Sequence, residues 1–152
     1  MADIIHRIAI KAPIARVYTA LSTIEGLAGW WTKETYGVSK VGGTIEFRFR
    51  SPKGDLLGSM DMEVLTLKSN KQVRWRCKDG PKEWIGTDIT FTLVREGNYT
   101  VVLFGHKNWR KTVEFMAHCT TKWAIFLMSL KELIETGKGK PSSRDVKIDN
   151  WN

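Results

Sequence analysis

The chain has 152 residues, 42% of them hydrophobic and 26% charged, which is ordinary for one soluble globular domain. Its formal net charge is +8, but no block of Lys and Arg, RNP-like strand or zinc-finger spacing accompanies it, which argues against a nucleic-acid-binding protein. The longest apolar run, Trp123 to Met128, is too short for membrane insertion, and two cysteines make no disulfide framework. We therefore expect a cytoplasmic protein with one domain over residues 1–141 and a polar tail over 142–152.

The N-terminal part is predicted to form one strand and two short helices. Ile4 to Lys11 alternates in polarity, and Pro13 is placed to open a helix because its missing N–H costs nothing at a first helical position. Ser22-Thr-Ile-Glu25 has the spacing of a capping box and predicts a second helix that runs into Trp30 and Trp31. Either one of these tryptophans is in the core and the other at a pocket mouth, or both pack under the second helix.

Five segments after Gly42-Gly43 alternate polar and apolar residues with the period of two that is typical of strands. The residues expected to point inward are Ile45, Phe47, Phe49, Met60, Met62, Val64, Val73, Trp75, Cys77, Thr87, Ile89, Phe91, Leu93, Val102, Phe104 and His106. Turn clusters separate the segments, and hairpin connections between consecutive strands predict an antiparallel sheet.

The polar sides of these strands carry basic and acidic rows on neighbouring strands. Opposite charges on adjacent strands can pair, so a solvated, salt-bridged face is favoured over a phosphate-binding groove. The residues concerned are Arg48, Arg50, Asp61, Glu63, Arg74, Arg76, Lys78 and Asp88, all expected to point away from the core.

A long amphipathic helix completes the predicted fold. Apolar residues recur with a period of 3.6 from Cys119 to Ile134, after a polar connection over Asn108 to Glu114. Gly137 and Pro141 supply the stop. The sequence therefore predicts an α+β fold: a six-stranded curved antiparallel sheet, two short helices, and a long C-terminal helix packed across the concave face of the sheet.

A family resemblance is carried by Ala12-Pro13 with Val17–Leu21 and Gly29–Trp31, by Val41–Gly43 before the Phe47 strand, and by Ser129–Lys131 through Glu135–Gly139 to Pro141. Over residues 3–141 the chain resembles the Hsp90-ATPase-activator-homologue group of the START-like, helix-grip (SRPBCC) superfamily. The resemblance implies a cavity between sheet and helix, in which relatives bind lipids, sterols, plant hormones or polyketides, and some are cyclases or aromatases. The namesake co-chaperone contacts Hsp90 through a further N-terminal domain, whereas the first strand predicted here begins at residue 4.

The expected site is a cavity for a small apolar or aromatic molecule, with no cofactor. Its expected lining is Trp31, Phe47, Phe49, Met62, Trp75, Phe91, Phe104, His106, Trp123 and Phe126. His106 is the one ionisable side chain expected on the cavity face, and we interpret it as a core histidine bonded to a backbone carbonyl or to water. The alternative is the acid or base of a cyclase- or hydrolase-like enzyme. A non-enzymatic binding protein is favoured because the expected cavity has few polar groups.

Other chemistry is not indicated. No metal site is predicted, because the adjacent His118 and Cys119 diverge by about 100° on a helix and no second ligand pair appears. His6 and His118 are expected at the surface, and Cys77 and Cys119 as reduced thiols in the core. A third hypothesis is a chaperone-interacting protein that acts through its basic face, and a homodimer is also considered. In a fourth, the tryptophans fill the cavity and the protein acts only through a partner.

Overall fold

The computed structural model describes all 152 residues and has the α+β architecture that the sequence predicts. Its elements in chain order are β1 (Ala2–Ile10), α1 (Ile14–Ser22), α2 (Ile24–Trp30), β2 (Glu34–Gly37), β3 (Thr44–Arg50), β4 (Leu56–Lys68), β5 (Gln72–Asp79), β6 (Asp88–Glu96), β7 (Tyr99–Trp109) and α3 (Glu114–Thr136). No helix in it has the length and apolar character needed to cross a membrane.

All seven strands form one antiparallel sheet in the order β1-β7-β6-β5-β4-β3-β2. The prediction of hairpin succession is confirmed, but the predicted number of six strands is one too low. The missed strand, β2, pairs with β3 through Thr35 opposite Phe47 and Tyr36 opposite Glu46. At four residues, β2 is too short for its alternation to stand out from a loop in the sequence.

The two predicted short helices are present, and α2 follows α1 after a single residue. Pro13 is the N-cap of α1, which buries Val17 and Leu21. The cap of α2 is Thr23 rather than Ser22, because the Thr23 hydroxyl accepts a hydrogen bond from the Gly26 N–H at 3.0 Å. The Ser22 hydroxyl instead donates to the Tyr18 carbonyl at 2.8 Å, so the capping-box interpretation was displaced by one residue.

Helix α3 has the buried stripe and the stop that the sequence predicts. Cys119, Trp123, Leu127 and other stripe residues are buried. The helix ends where Gly137 takes up a φ of 94° and donates its N–H to the Leu133 carbonyl at 2.8 Å. The polar connection before it is shorter than expected, since β7 continues to Trp109.

The concave face of the sheet is the main part of the core. Every residue expected to point inward is buried except Phe49 and Met60, which are half-buried at one end of the sheet. A register shift between Val64 and Thr66 changes the alternation of β4, so that Leu67, opposite Val73, also packs against the core.

The opposite face of the sheet carries ion pairs, as the charge rows predict. Arg74 and Arg76 both donate to the Asp88 carboxylate, at N···O distances of 2.5 and 2.9 Å. Burial alone would raise the pKa of Asp88, but hydrogen bonds from the two arginines outweigh it and hold that pKa below its usual value. On the other half of the sheet, Arg50 pairs with Glu34 of the missed strand.

Candidate functional site

Trp31 lies at the centre of an aromatic cluster that fills most of the space between sheet and helix. Its ring centroid is 4.4 Å from that of Phe47, 5.0 Å from Trp123 and 5.9 Å from Trp75. Trp30 is fully buried and donates its indole N–H to the Ala20 carbonyl at 3.0 Å. Of the two interpretations of this pair, the structure has Trp30 in the core and Trp31 against a pocket, although Trp31 itself is only 2% exposed.

Six of the ten residues expected to line a cavity lie instead inside this filled core. They are closed off because Trp31 from the end of α2 and Trp123 from α3 occupy the space in front of the sheet. The six residues are Phe47, Met62, Trp75, Phe91, Phe104 and His106.

The open space is a pocket of about 450 Å³ at one end of the sheet. It lies between α3, the β3–β4 end of the sheet, the β5–β6 connection and the C-terminal tail. Four of the ten predicted residues line it, namely Trp31, Phe49, Trp123 and Phe126; the others are Leu57, Gly58, Met60, Pro81, Glu83, Trp84, Phe115, His118, Cys119, Lys122, Trp151 and Asn152. Ten of these sixteen residues are hydrophobic, and Leu57 and Trp151, each 47% exposed, stand at the opening.

Trp84 was missed by the sequence interpretation. It belongs to the connection between β5 and β6, and its ring stacks on that of Trp123 with centroids 5.9 Å apart and planes 16° apart. It also lies nearly perpendicular to the His106 ring, with centroids 4.6 Å apart and an interplanar angle of 82°. A tryptophan that directly follows the charged residues Lys82 and Glu83 in a turn was the available signal that this turn folds back over the core.

His106 is sealed beneath these tryptophans with no solvent exposure. Its Nδ1 accepts a hydrogen bond from the Trp123 indole N–H at 3.1 Å, so the proton of the neutral ring is on Nε2, 2.8 Å from the Thr87 hydroxyl. Thr87 in turn donates to the Trp84 carbonyl at 2.5 Å. Its partners are therefore side chains rather than the expected backbone carbonyl or water. Burial lowers the pKa of His106 to about 3.

The polar wall of the pocket joins α3 to the tail. Lys122 forms an ion pair with Asp145, and both side chains are almost fully buried. One turn earlier, His118 Nδ1 is 2.7 Å from the Asp149 carboxylate, and this hydrogen bond lowers the pKa of Asp149. His118 was expected at the surface, yet its side chain is only 12% exposed, because the tail covers it.

The two cysteines are free and buried, as predicted. Burial raises the pKa of both the Cys77 and the Cys119 thiol to about 12, so each is protonated at neutral pH. Cys119 lines the pocket, whereas Cys77 does not.

The remaining histidine, His6, was expected at the surface but is half-buried. Its Nε2 lies 3.1 Å from both the carbonyl and the hydroxyl oxygen of Thr120. Nowhere do three or more His, Cys, Asp or Glu side chains converge as a metal site would require.

Comparison with known proteins gives one family and several similar structures. The family model described as Activator of Hsp90 ATPase homolog 1-like protein matches residues 11–135. The chain is similar to Aha1 from Colwellia psychrerythraea, solved as a dimer in solution, with 46% identity, 91% of this chain and 100% of that chain covered, and a TM-score of 0.79. No match is found among curated proteins.

Two further structures share only the fold. DynU16, from the dynemicin biosynthetic locus, is 16% identical with a TM-score of 0.75, over 90% of this chain and 48% of that chain. CalU16 from Micromonospora echinospora is 18% identical with a TM-score of 0.72, over 91% of this chain and 69% of that one. The family match, the 46% identity and the helix held in a curved sheet agree with the resemblance seen in the sequence: this chain belongs to the Activator of Hsp90 ATPase homolog 1-like family.

Proposed function

We propose that this protein binds one small apolar or aromatic molecule in the pocket between α3, the β3–β4 end of the sheet and the tail. The observation that carries the proposal is an open cavity of about 450 Å³ walled mainly by hydrophobic residues. That volume lies within the range of about 300–1,000 Å³ that small-molecule sites occupy. An apolar guest would remove hydrocarbon surface from water, worth about 25 cal/mol per Å² buried.

The shape of the walls favours a flat molecule. Phe49 and Phe126, both in the wall, approach each other edge to face with centroids 6.0 Å apart. Trp84 and Trp123, also in the wall, have nearly parallel rings. An aromatic guest against such rings gains offset-stacked or edge-to-face contacts in addition to burial. Lys122 provides one polar group near which a substituent of the guest can lie.

Binding without chemical conversion is the better-supported function. His106, the residue of the alternative enzyme hypothesis, has both ring nitrogens engaged, and burial lowers its pKa to about 3, so it is poorly suited to proton transfer near neutral pH. Two other candidates for proton transfer in the pocket wall, His118 and Lys122, are each engaged by a carboxylate of the tail. The Cys119 thiol is held protonated, which disfavours it as a nucleophile.

The test is a titration of intrinsic tryptophan fluorescence with a panel of fatty acids, sterols and aromatic polyketides, read beside thermal unfolding. A ligand of the native state should give saturable quenching and a raised melting temperature. Leu57→Ser, at the opening, should weaken binding several-fold, whereas Leu56→Ser, the exposed neighbour outside the pocket, should not. Absence of a saturable response across the panel, or equal effects of the two variants, would contradict the proposal.

We also propose that the chain self-associates, because the 46% identical Aha1 from Colwellia psychrerythraea is a dimer. Light scattering on the eluted protein over a hundred-fold range of concentration measures the mass directly. A mass that stays at 17.4 kDa throughout would exclude the dimer.

Contact with a chaperone stays a prediction that follows from the family name. A pull-down at low salt that recovers no chaperone would count against it.

A further inference from the structure

The C-terminal tail crosses the pocket after being fixed at its start. Ser142 donates its N–H to the Trp31 carbonyl at 2.8 Å, and its hydroxyl contacts both backbone groups of Arg50 at 3.3 Å. Beyond this anchor, residues 145–152, here called the C-terminal strap, form no strand and no helix. The strap is thus tied to the body of the protein at one end and reaches the pocket at the other.

Two side chains on one face of α3 hold the strap. Lys122 pairs with Asp145 and also donates to the Val146 carbonyl at 2.9 Å. His118, four residues earlier and therefore on the same helix face, binds Asp149. Lys122 also lies 3.5 Å from the Asn152 carbonyl, and the backbone-to-backbone hydrogen bonds of residues 145–152 are internal, such as that from Ile148 to Asn152 at 2.8 Å. The strap can therefore leave α3 without breaking any hydrogen bond of the sheet or of a helix.

The strap also completes the pocket. Trp151 and Asn152 are part of its wall, and the Trp151 ring lies 5.4 Å from that of His118 and 6.4 Å from that of Phe115. Cys119, on the helix beside His118, lines the same pocket and is only 4% exposed. Removal of the strap would open this side of the pocket to solvent.

We propose that the C-terminal strap is a movable lid at one side of the ligand pocket, held by the Lys122–Asp145 and His118–Asp149 contacts, and that its detachment from α3 widens the opening and speeds entry and release of the guest. The inference rests on the proposed binding function. It does not follow from family membership, because the family model ends at residue 135, before the strap begins.

Thiol labelling tests the lid without any ligand. In a Cys77→Ser background, Cys119 is the single thiol, and its reaction rate with dithiobis-nitrobenzoate reports how often the pocket opens. Asp149→Asn should raise that rate about tenfold, the factor expected from loss of one charge-assisted hydrogen bond, and Asp145→Asn should raise it further. Glu96→Gln, which breaks the exposed pair with Arg7, is the matched control and should leave the rate unchanged.

The reciprocal background, Cys119→Ser, separates lid opening from general unfolding, because Cys77 is 1% exposed in the core. Cys77 labelling should stay slow in the same Asp149→Asn and Asp145→Asn variants. Unchanged Cys119 labelling in both variants, or a parallel rise at Cys77, would overturn the lid.

Stopped-flow binding of anilinonaphthalene sulfonate distinguishes failure of the lid from failure of the binding function. The lid predicts that Asp149→Asn raises the association and dissociation rates of this aromatic probe together. Binding with unchanged rates would overturn the lid and leave the binding function standing. Faster Cys119 labelling without any probe binding would support the lid and count against the binding function.

Discussion

His106 joins β7 to helix α3 and to the β5–β6 connection through hydrogen bonds that require its neutral form. A proton added to Nδ1 would face the Trp123 indole N–H, which already donates to that atom. The sequence predicted the inward direction of His106 from the alternation of its strand. It could not supply the partners, because Thr87 and Trp123 are 19 and 17 residues away and reach the ring only through tertiary packing.

This histidine makes stability depend on pH with a definite sign. The unfolded pKa is about 6.5, whereas burial lowers the folded pKa to about 3, so the unfolded chain takes up the proton first as pH falls. The contribution of His106 to folding is complete above about pH 6.5 and is lost progressively toward about pH 3. We expect His106→Gln to be less stable than wild type in urea unfolding near neutral pH, with a difference that narrows as the solution is acidified. A difference that is constant with pH would contradict this role.

Trp123 and Trp151 both line the pocket but differ in what they contribute to folding. Trp123 is 2% exposed and bonded to His106, so Trp123→Ala should lower the free energy of unfolding by about 3–5 kcal/mol, as other buried aromatic truncations do. Trp151 is 47% exposed, and Trp151→Ala should cost less than about 1 kcal/mol. Urea denaturation measures both. Equal losses in the free energy of unfolding would mean that the strap is part of the cooperative core. Because Trp123→Ala destabilises the fold, the binding site is tested with other variants.

The start of α2 depends on the choice between two adjacent hydroxyl residues. Thr23→Ala should destabilise the protein by about 1 kcal/mol, because the Gly26 N–H loses its acceptor at the helix start. Ser22→Ala should cost less, since its hydroxyl only bonds back to a carbonyl that α1 already engages. Thermal or urea unfolding of the two variants ranks them. The reverse order would place the cap at Ser22, as the capping-box pattern had indicated.

The strands were predictable where alternation was long and unbroken. The runs ending in Phe49 and Cys77 identify β3 and β5 with the correct inward face. Alternation is a weak signal in β2, where only Thr35 is buried among four residues. It also fails locally in β4, where the bulge before Thr66 brings Leu67 inward.

The arrangement of a long helix across a curved sheet followed from the sequence, but the position of the pocket did not. Periodicity tells which residues point inward, and Phe47 and Trp75 do so. It does not tell which inward residues are covered by others, and here Trp31 and Trp84 enter from a helix end and a turn to fill the middle. The tail, expected to be a polar extension, supplies Trp151 to the wall of the pocket.

Blocking the pocket with a single side chain tests the binding function most directly. Gly58 lies on the pocket wall in β4, and a Cβ added there would meet no heavy atom within 4 Å. Its φ lies outside the left-handed region that favours glycine, so we expect a larger residue to be tolerated. Ser59, the next residue, is exposed and points to the opposite face, which makes Ser59→Phe a matched control for Gly58→Phe.

Equilibrium titration of anilinonaphthalene sulfonate into wild type, Gly58→Phe and Ser59→Phe is therefore the decisive experiment. We predict that Gly58→Phe weakens binding by at least about tenfold, or about 1.4 kcal/mol, while its melting temperature stays close to that of wild type. Ser59→Phe should bind as wild type does. Wild-type affinity in Gly58→Phe, or equal weakening by the two variants, would show that the guest does not occupy this pocket.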